Sequence, residues 1–122
     1  MTTATILFAH GSRDPLWRAP MEAVAARMRQ RAPLYRVECA YLELCEPSLP
    51  SAAASLVANG ASRLRVVPMF LGVGKHARED LPVLMEDLRK AHPGIALELL
   101  PAVGEHPALL ELLADIALAV PQ

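Results

Sequence analysis

The chain has 122 residues, 12 of them Lys or Arg and 13 Asp or Glu, for a formal charge of −1. That is about one domain's length, and 53% hydrophobic against 20% charged residues excludes a disordered chain. Near-zero charge without a Lys/Arg cluster argues against a nucleic-acid binder that grips phosphates.

The opening Met1-Thr2-Thr3-Ala4-Thr5 has no basic segment, and the apolar run 6–9 is too short for a secretory signal. No stretch reaches the roughly 18 uninterrupted apolar residues of a membrane span. Cys39 and Cys45 make neither a disulfide framework nor a C-x-x-C motif. A reduced, cytoplasmic protein of one domain, 1–122, is the expectation.

Four short apolar runs alternate with four helical patterns. The first strand reads Thr3 to Ala9, and Gly11-Ser12-Arg13-Asp14-Pro15 ends it. Met21, Val24, Ala25 and Met28 follow at i, i+3, i+4, i+7, the spacing of a helix face, with Pro20 in the first turn. The second strand runs from Tyr35 to Leu42. Ser48 is placed to cap the next helix, which stops at Asn59-Gly60.

The third strand spans 64–70. Pro68 cannot donate to a ladder, so it shortens the strand or sits at its end. Leu81, Leu84, Met85 and Leu88 mark the third helix, which begins near Asp80, or near His76 with a kink at Pro82. The fourth strand is 95–100. The last helix opens near His106-Pro107 and is expected to bury Leu109, Leu110, Leu113 and Ile116. Strand and helix in strict alternation imply an α/β fold: a four-stranded parallel sheet with helices on both faces.

Open parallel sheets bind ligands beyond the carboxyl ends of their strands. On that rim this sequence puts His10-Gly11-Ser12-Arg13, Glu43 with Cys45-Glu46, Gly72-Val73-Gly74-Lys75-His76, and Gly104-Glu105-His106. The opposite rim has only turn chemistry: Ala32-Pro33, Asn59-Gly60, Pro93-Gly94. His10, His76 and Glu43 make a possible set of two imidazoles and one carboxylate, suited to Fe, Co, Ni or Zn. Glu43 could equally be a loop acid paired with Arg13 or Lys75. Cys39 reads as a strand residue facing the core, Cys45 as a weak ligand candidate, and His92 and His106 as helix-end residues. Arg13, Lys75 and Arg78 could together hold an anion carrying several carboxylates. The glycine loops match neither a P-loop nor a dinucleotide fingerprint, so no nucleotide is indicated.

Taken in order, the segments are Leu7-Phe8-Ala9-His10-Gly11-Ser12-Arg13-Asp14-Pro15, then Ala40-Tyr41-Leu42-Glu43 with Glu46-Pro47-Ser48-Leu49. Val67-Pro68-Met69-Phe70-Leu71, Gly74-Lys75-His76 and Pro101-Ala102-Val103-Gly104 follow. This series resembles the small form of the sirohydrochlorin chelatases, the CbiX/SirB family of class II tetrapyrrole chelatases. The resemblance implies a chelatase-like fold and insertion of a divalent metal into sirohydrochlorin, an anionic tetrapyrrole. Co²⁺ comes first, Fe²⁺ or Ni²⁺ next, for cobalamin or sirohaem synthesis. The metal is a substrate, and no organic cofactor is expected.

The resemblance further implies a homodimer, because longer relatives carry two such domains. His10 and His76 fall on the family's metal-site histidines, and Glu43 on its acid after the second strand. Leu42, Phe70, Leu71 and Val73 are then candidate cleft residues, and Arg13, Lys75 and Arg78 the contacts to ring carboxylates. Two other readings stay open: a metal or tetrapyrrole carrier without catalysis, and a histidine phosphatase. Ala9, where the latter has arginine, argues against it.

Overall fold

A computed structural model describes residues 2–120. The chain runs β1 (Thr3–Ala9), a 3-10 turn (Pro15–Arg18), α1 (Ala19–Arg31), β2 (Arg36–Tyr41), α2 (Leu49–Ala58) and β3 (Arg63–Pro68). It continues through α3 (Lys75–Ala91), β4 (Ala96–Leu99), a second 3-10 turn (Val103–Glu105) and α4 (Pro107–Leu118). The strands form one sheet in the order β2-β1-β3-β4, and every pairing is parallel.

Side chains alternate across a strand, so each strand feeds two cores. Ala4, Ile6 and Phe8 of β1, Ala40 of β2, and Leu64 and Val66 of β3 point to one face. There Leu49, Ala52, Ala53 and Leu56 of α2 and Ala77, Leu81, Met85 and Leu88 of α3 cover them. Leu7 and Ala9 of β1, with Val37 and Tyr41 of β2, point to the other face, under Met21 and Ala25 of α1. The central strand β1 is buried from Ala4 to Ala9, which is why it reads as an unbroken apolar run.

The helix ends follow their sequence signals. Ser48 caps α2 by accepting from the Ser51 N–H at 3.3 Å, and Asn59 ends it before Gly60 at φ +100°. Pro68 is the last residue of β3, where the ladder asks nothing more of its nitrogen. The third helix takes the earlier of its two possible starts. It begins at Lys75, with the Arg78 N–H bonded to the Gly74 carbonyl at 3.0 Å, and carries Pro82 inside.

One expectation fails. Residues Leu109, Leu110, Leu113 and Ile116 were to be buried, yet α4 buries none of its residues. Leu110, Leu112, Leu113 and Ile116 are 48, 54, 37 and 63% exposed. The periodic spacing makes an apolar stripe, but α4 leaves the sheet through the second 3-10 turn, and among the described residues that turn is its main neighbour.

Candidate functional site

Each strand hands its loop to the carboxyl rim, and two glycines decide how those loops meet. A Cβ on Gly11 would stand 1.7 Å from the Glu43 carbonyl oxygen and 3.0 Å from Cys45 Sγ. No side chain fits there, so the loop after β1 lies directly on the loop after β2. Gly104 repeats the arrangement, with a Cβ position 1.7 Å from the Leu71 carbonyl oxygen.

The β2 loop is itself bent hard. Leu44 has φ 69°, and the Cys45 N–H donates to the Glu43 carbonyl at 2.9 Å. This three-residue turn with positive φ at a leucine is a strained conformation. It turns the Glu43 carboxylate back toward β1. There Glu43 Oε1 accepts from the Gly11 N–H at 3.3 Å and lies 3.5 Å from His10 Nδ1.

His10 is the first residue after β1. Its ring tilts over Phe70 at a centroid distance of 4.8 Å, and Phe70 stands edge-on to Phe8 at 6.2 Å. Trp17 donates its indole N–H to the His10 carbonyl at 3.0 Å. Asp14 sets Trp17 in place by capping the short 3-10 turn, accepting from the Leu16 N–H at 2.9 Å. The imidazole thus lies against an aromatic ring with its Nδ1 beside a carboxylate oxygen. With His10 and Glu43 51 and 41% exposed, the pair is open to an incoming ligand.

Beside this pair lies an apolar pocket lined by His10, Trp17, Pro20, Met21, Met69, Phe70, Leu71 and Gly72. Phe70 and Leu71 belong to it, as the sequence suggested. Leu42 and Val73 do not: they pack against the core under α2 and α3. Trp17, Met21 and Met69 were missed. Met21 and Met69 read as core filler and serve the core and the pocket at once. Trp17 had a signal, a lone exposed tryptophan in the turn after the first strand.

His76 stands exposed in the first turn of α3. Among the described residues no three His, Cys, Asp or Glu side chains gather around one point, so His76 is not drawn into the His10–Glu43 pair. Arg13 and Lys75 are exposed on the same rim, and Arg78 donates to the Val73 carbonyl at 2.9 Å, bracing the loop before α3. His106 Nδ1 accepts from the Ala108 N–H at 3.2 Å and so caps α4. His92 is the C-cap of α3. Burial pushes the Cys39 thiol up, which keeps it protonated and suits its part as a neutral strand residue.

Comparisons with known proteins agree with this arrangement. The CbiX family profile matches residues 4–118. The chain is 34% identical over 110 residues to a chloroplastic sirohydrochlorin ferrochelatase of Arabidopsis thaliana, covering 90% of this chain and 49% of that one. A CbiX protein from Marinobacter aquaeolei VT8 superposes with a TM-score of 0.83 at 33% identity, over 94% of this chain and 93% of that one. The sirohydrochlorin chelatase SirB from Bacillus subtilis subspecies spizizenii, solved in complex with cobalt, gives a TM-score of 0.70 at 28% identity. It matches 96% of this chain and 52% of its own. The matched stretch spans about half to three fifths of the length of the first curated relatives.

Proposed function

The chain belongs to the CbiX family, and on that footing we propose that it is a sirohydrochlorin chelatase, inserting a divalent metal into the tetrapyrrole. The observation that carries this reading is the His10–Glu43 pair, open to solvent at the lip of an apolar pocket. A flat macrocycle needs an apolar wall for its face and a base above its nitrogens. Trp17, Phe70 and Leu71 supply the first and the exposed imidazole of His10 the second.

Metallation exchanges two pyrrole protons for one divalent ion. His10 takes one ring proton or holds the incoming metal while it sheds water, and the remaining protons leave to solvent water. Glu43 balances the charge that His10 gains and lends an oxygen to the ion. His76, at the start of α3, is the second imidazole, brought to the metal as the ring settles between the loops. Arg13, Lys75 and Arg78, all exposed on the carboxyl rim, are the cations of this reading that meet the carboxylates of the substrate. No nucleotide is required, because binding of the metal by the macrocycle is itself downhill.

Cobalt is the first choice of metal, since several relatives at 27 to 35% identity are named sirohydrochlorin cobaltochelatases. Iron and nickel suit the same donors, as one relative is named a ferrochelatase. The active form in this reading is a homodimer, in which the second copy stands where longer relatives carry further chain.

An anaerobic absorbance assay with sirohydrochlorin and Co²⁺, Fe²⁺ or Ni²⁺ in separate cuvettes tests the proposal. The chain should accelerate metallation over the protein-free rate, and His10→Ala and His76→Ala should each lose about 100-fold or more. Binding of the tetrapyrrole without acceleration would make the protein a carrier. Near-wild-type rates in both variants would remove the histidines from the mechanism.

A further inference from the structure

The parallel ladder holds the chain to the end of β1 and no further. The Phe8 carbonyl accepts from the Met69 N–H, just past β3, at 2.7 Å, and the Ala9 carbonyl from the Leu42 N–H, just past β2, at 2.9 Å. The His10 carbonyl comes next, and among the described residues no backbone donor reaches it. Its partner is the Trp17 indole N–H at 3.0 Å. The N–H of the same peptide unit belongs to Gly11 and donates to Glu43 Oε1 at 3.3 Å. A peptide unit is planar, so side chains holding its C=O and its N–H together fix its rotation. The unit that carries the imidazole residue is pinned in this way at both poles.

The two pins differ in what else they are asked to do. Glu43 Oε1 also lies 3.5 Å from His10 Nδ1, and on the chelatase reading this carboxylate balances charge and lends an oxygen to the ion. A carboxylate used in that way is drawn off the Gly11 N–H. The indole nitrogen has no second duty, because it donates only. Its backbone is set by the turn. The Asp14 N–H donates to Ser12 Oγ at 3.0 Å, Asp14 Oδ1 accepts from the Leu16 N–H at 2.9 Å, and the Trp17 N–H donates to the Asp14 carbonyl at 3.0 Å. That turn buries none of its residues, and Trp17 is 54% exposed, so core packing does not hold the indole against His10.

We infer that Trp17 is a positioning residue for His10: its N–H keeps the His10–Gly11 peptide in place while the Glu43 carboxylate leaves Gly11 to serve the metal. The inference rests on the chelatase reading and divides the work of one side chain. The ring face of Trp17 walls the pocket and bears on binding of the macrocycle. The N–H bears on the geometry of the reacting imidazole, and so on the rate once the ring is bound. Misplacement of a reacting group on the ångström scale is felt in the rate. The net worth of one neutral hydrogen bond sets the scale of that loss at roughly tenfold or less.

Two crossed variants test it, in steady-state metallation of sirohydrochlorin at saturating Co²⁺. Trp17→Phe keeps an aromatic wall and has no N–H. Its kcat should fall about five- to tenfold with KM within about twofold of wild type. Trp17→Gln keeps an N–H donor the same number of bonds from Cα and loses the wall. Its KM should rise about tenfold or more, with kcat above that of Trp17→Phe. The position is exposed, so both variants should keep the wild-type circular dichroism and melting temperature. A residue that served only as a wall would raise KM in both and leave kcat of Trp17→Phe at the wild-type value. A second arm reads the bond without any turnover. Labelled at the indole nitrogen, the wild-type chain gives one indole N–H resonance, which should exchange with water about tenfold more slowly than that of free tryptophan. Full kcat in Trp17→Phe, or an indole that exchanges as fast as free tryptophan, overturns this inference alone. A wild-type chain that does not accelerate metallation overturns the chelatase reading, and this one with it.

Discussion

The two ends of the sheet are built from the same four strands and differ in almost everything else. At the amino ends the connections are backbone turns. The Tyr35 N–H donates to the Ala32 carbonyl, the Gly60 N–H to Val57, and the Ile95 N–H to His92, all at 2.9 to 3.1 Å. At the carboxyl ends the loops lie on each other's backbones, hold a leucine at positive φ, and leave His10, Glu43 and Trp17 open to solvent. Each end contains a glycine that cannot be replaced freely, for opposite reasons. Gly60 has open space around it and an unusual φ; Gly11 has an ordinary φ and no space. One end closes the chain cheaply, and the other holds side chains where solvent reaches them.

Substitutions should separate the two ends, and the largest effect belongs to the rim. Gly11→Ala must push the Glu43 carbonyl away by an ångström or more, and displacement on that scale costs metallation about 100-fold. Crowding at the same place should lower stability by roughly 1–3 kcal/mol, read from urea unfolding. Glu43→Gln tests the carboxylate without moving the backbone. It should keep the bond from the Gly11 N–H and the melting temperature, and still lose about tenfold or more in rate if the charge is used. Gly60→Ala should do the reverse, lowering stability by about 1–2 kcal/mol through its left-handed φ, with the metallation rate unchanged. A rate loss in Gly60→Ala would break the comparison.

The smallest effect lies directly beneath the rim. Tyr41 is 2% exposed, and its hydroxyl has no hydrogen-bond partner among the described residues. Burial first, then the neighbouring Cys39 and Glu22, pushes its phenol from 10.0 up to about 12. The unfolded chain therefore releases that proton first, so stability should be intact below pH 10 and fall as pH rises from 10 to 12. Tyr41→Phe should flatten the fall and be neutral or mildly stabilising at pH 7, since it removes an unpaired polar atom from the core. Unfolding in urea across this pH range measures both.

Much of this was legible in the residues. Apolar runs and 3.6-residue spacing located all eight main elements, because burial on two faces of a parallel sheet leaves unbroken runs such as Thr3 to Ala9. The rim rule brought His10 and Glu43 to one place, and the structure joins them at 3.5 Å. What stayed hidden depends on distance in space. Spacing shows that α4 has an apolar face and says nothing of what lies against it. The strained turn at Leu44 carries no glycine to announce it. Met21 and Met69 look like core residues because they are, and only the loop geometry adds the pocket.

The bond from Trp17 to the His10 carbonyl has one more consequence. Trp17 is the sole tryptophan of the chain, and it lines the pocket beside the imidazole. Nearly all of the long-wavelength ultraviolet emission of this protein therefore originates at the mouth of its site. On the chelatase reading a coloured ring settling there should quench it, so its arrival and departure could be timed in stopped flow with no label attached.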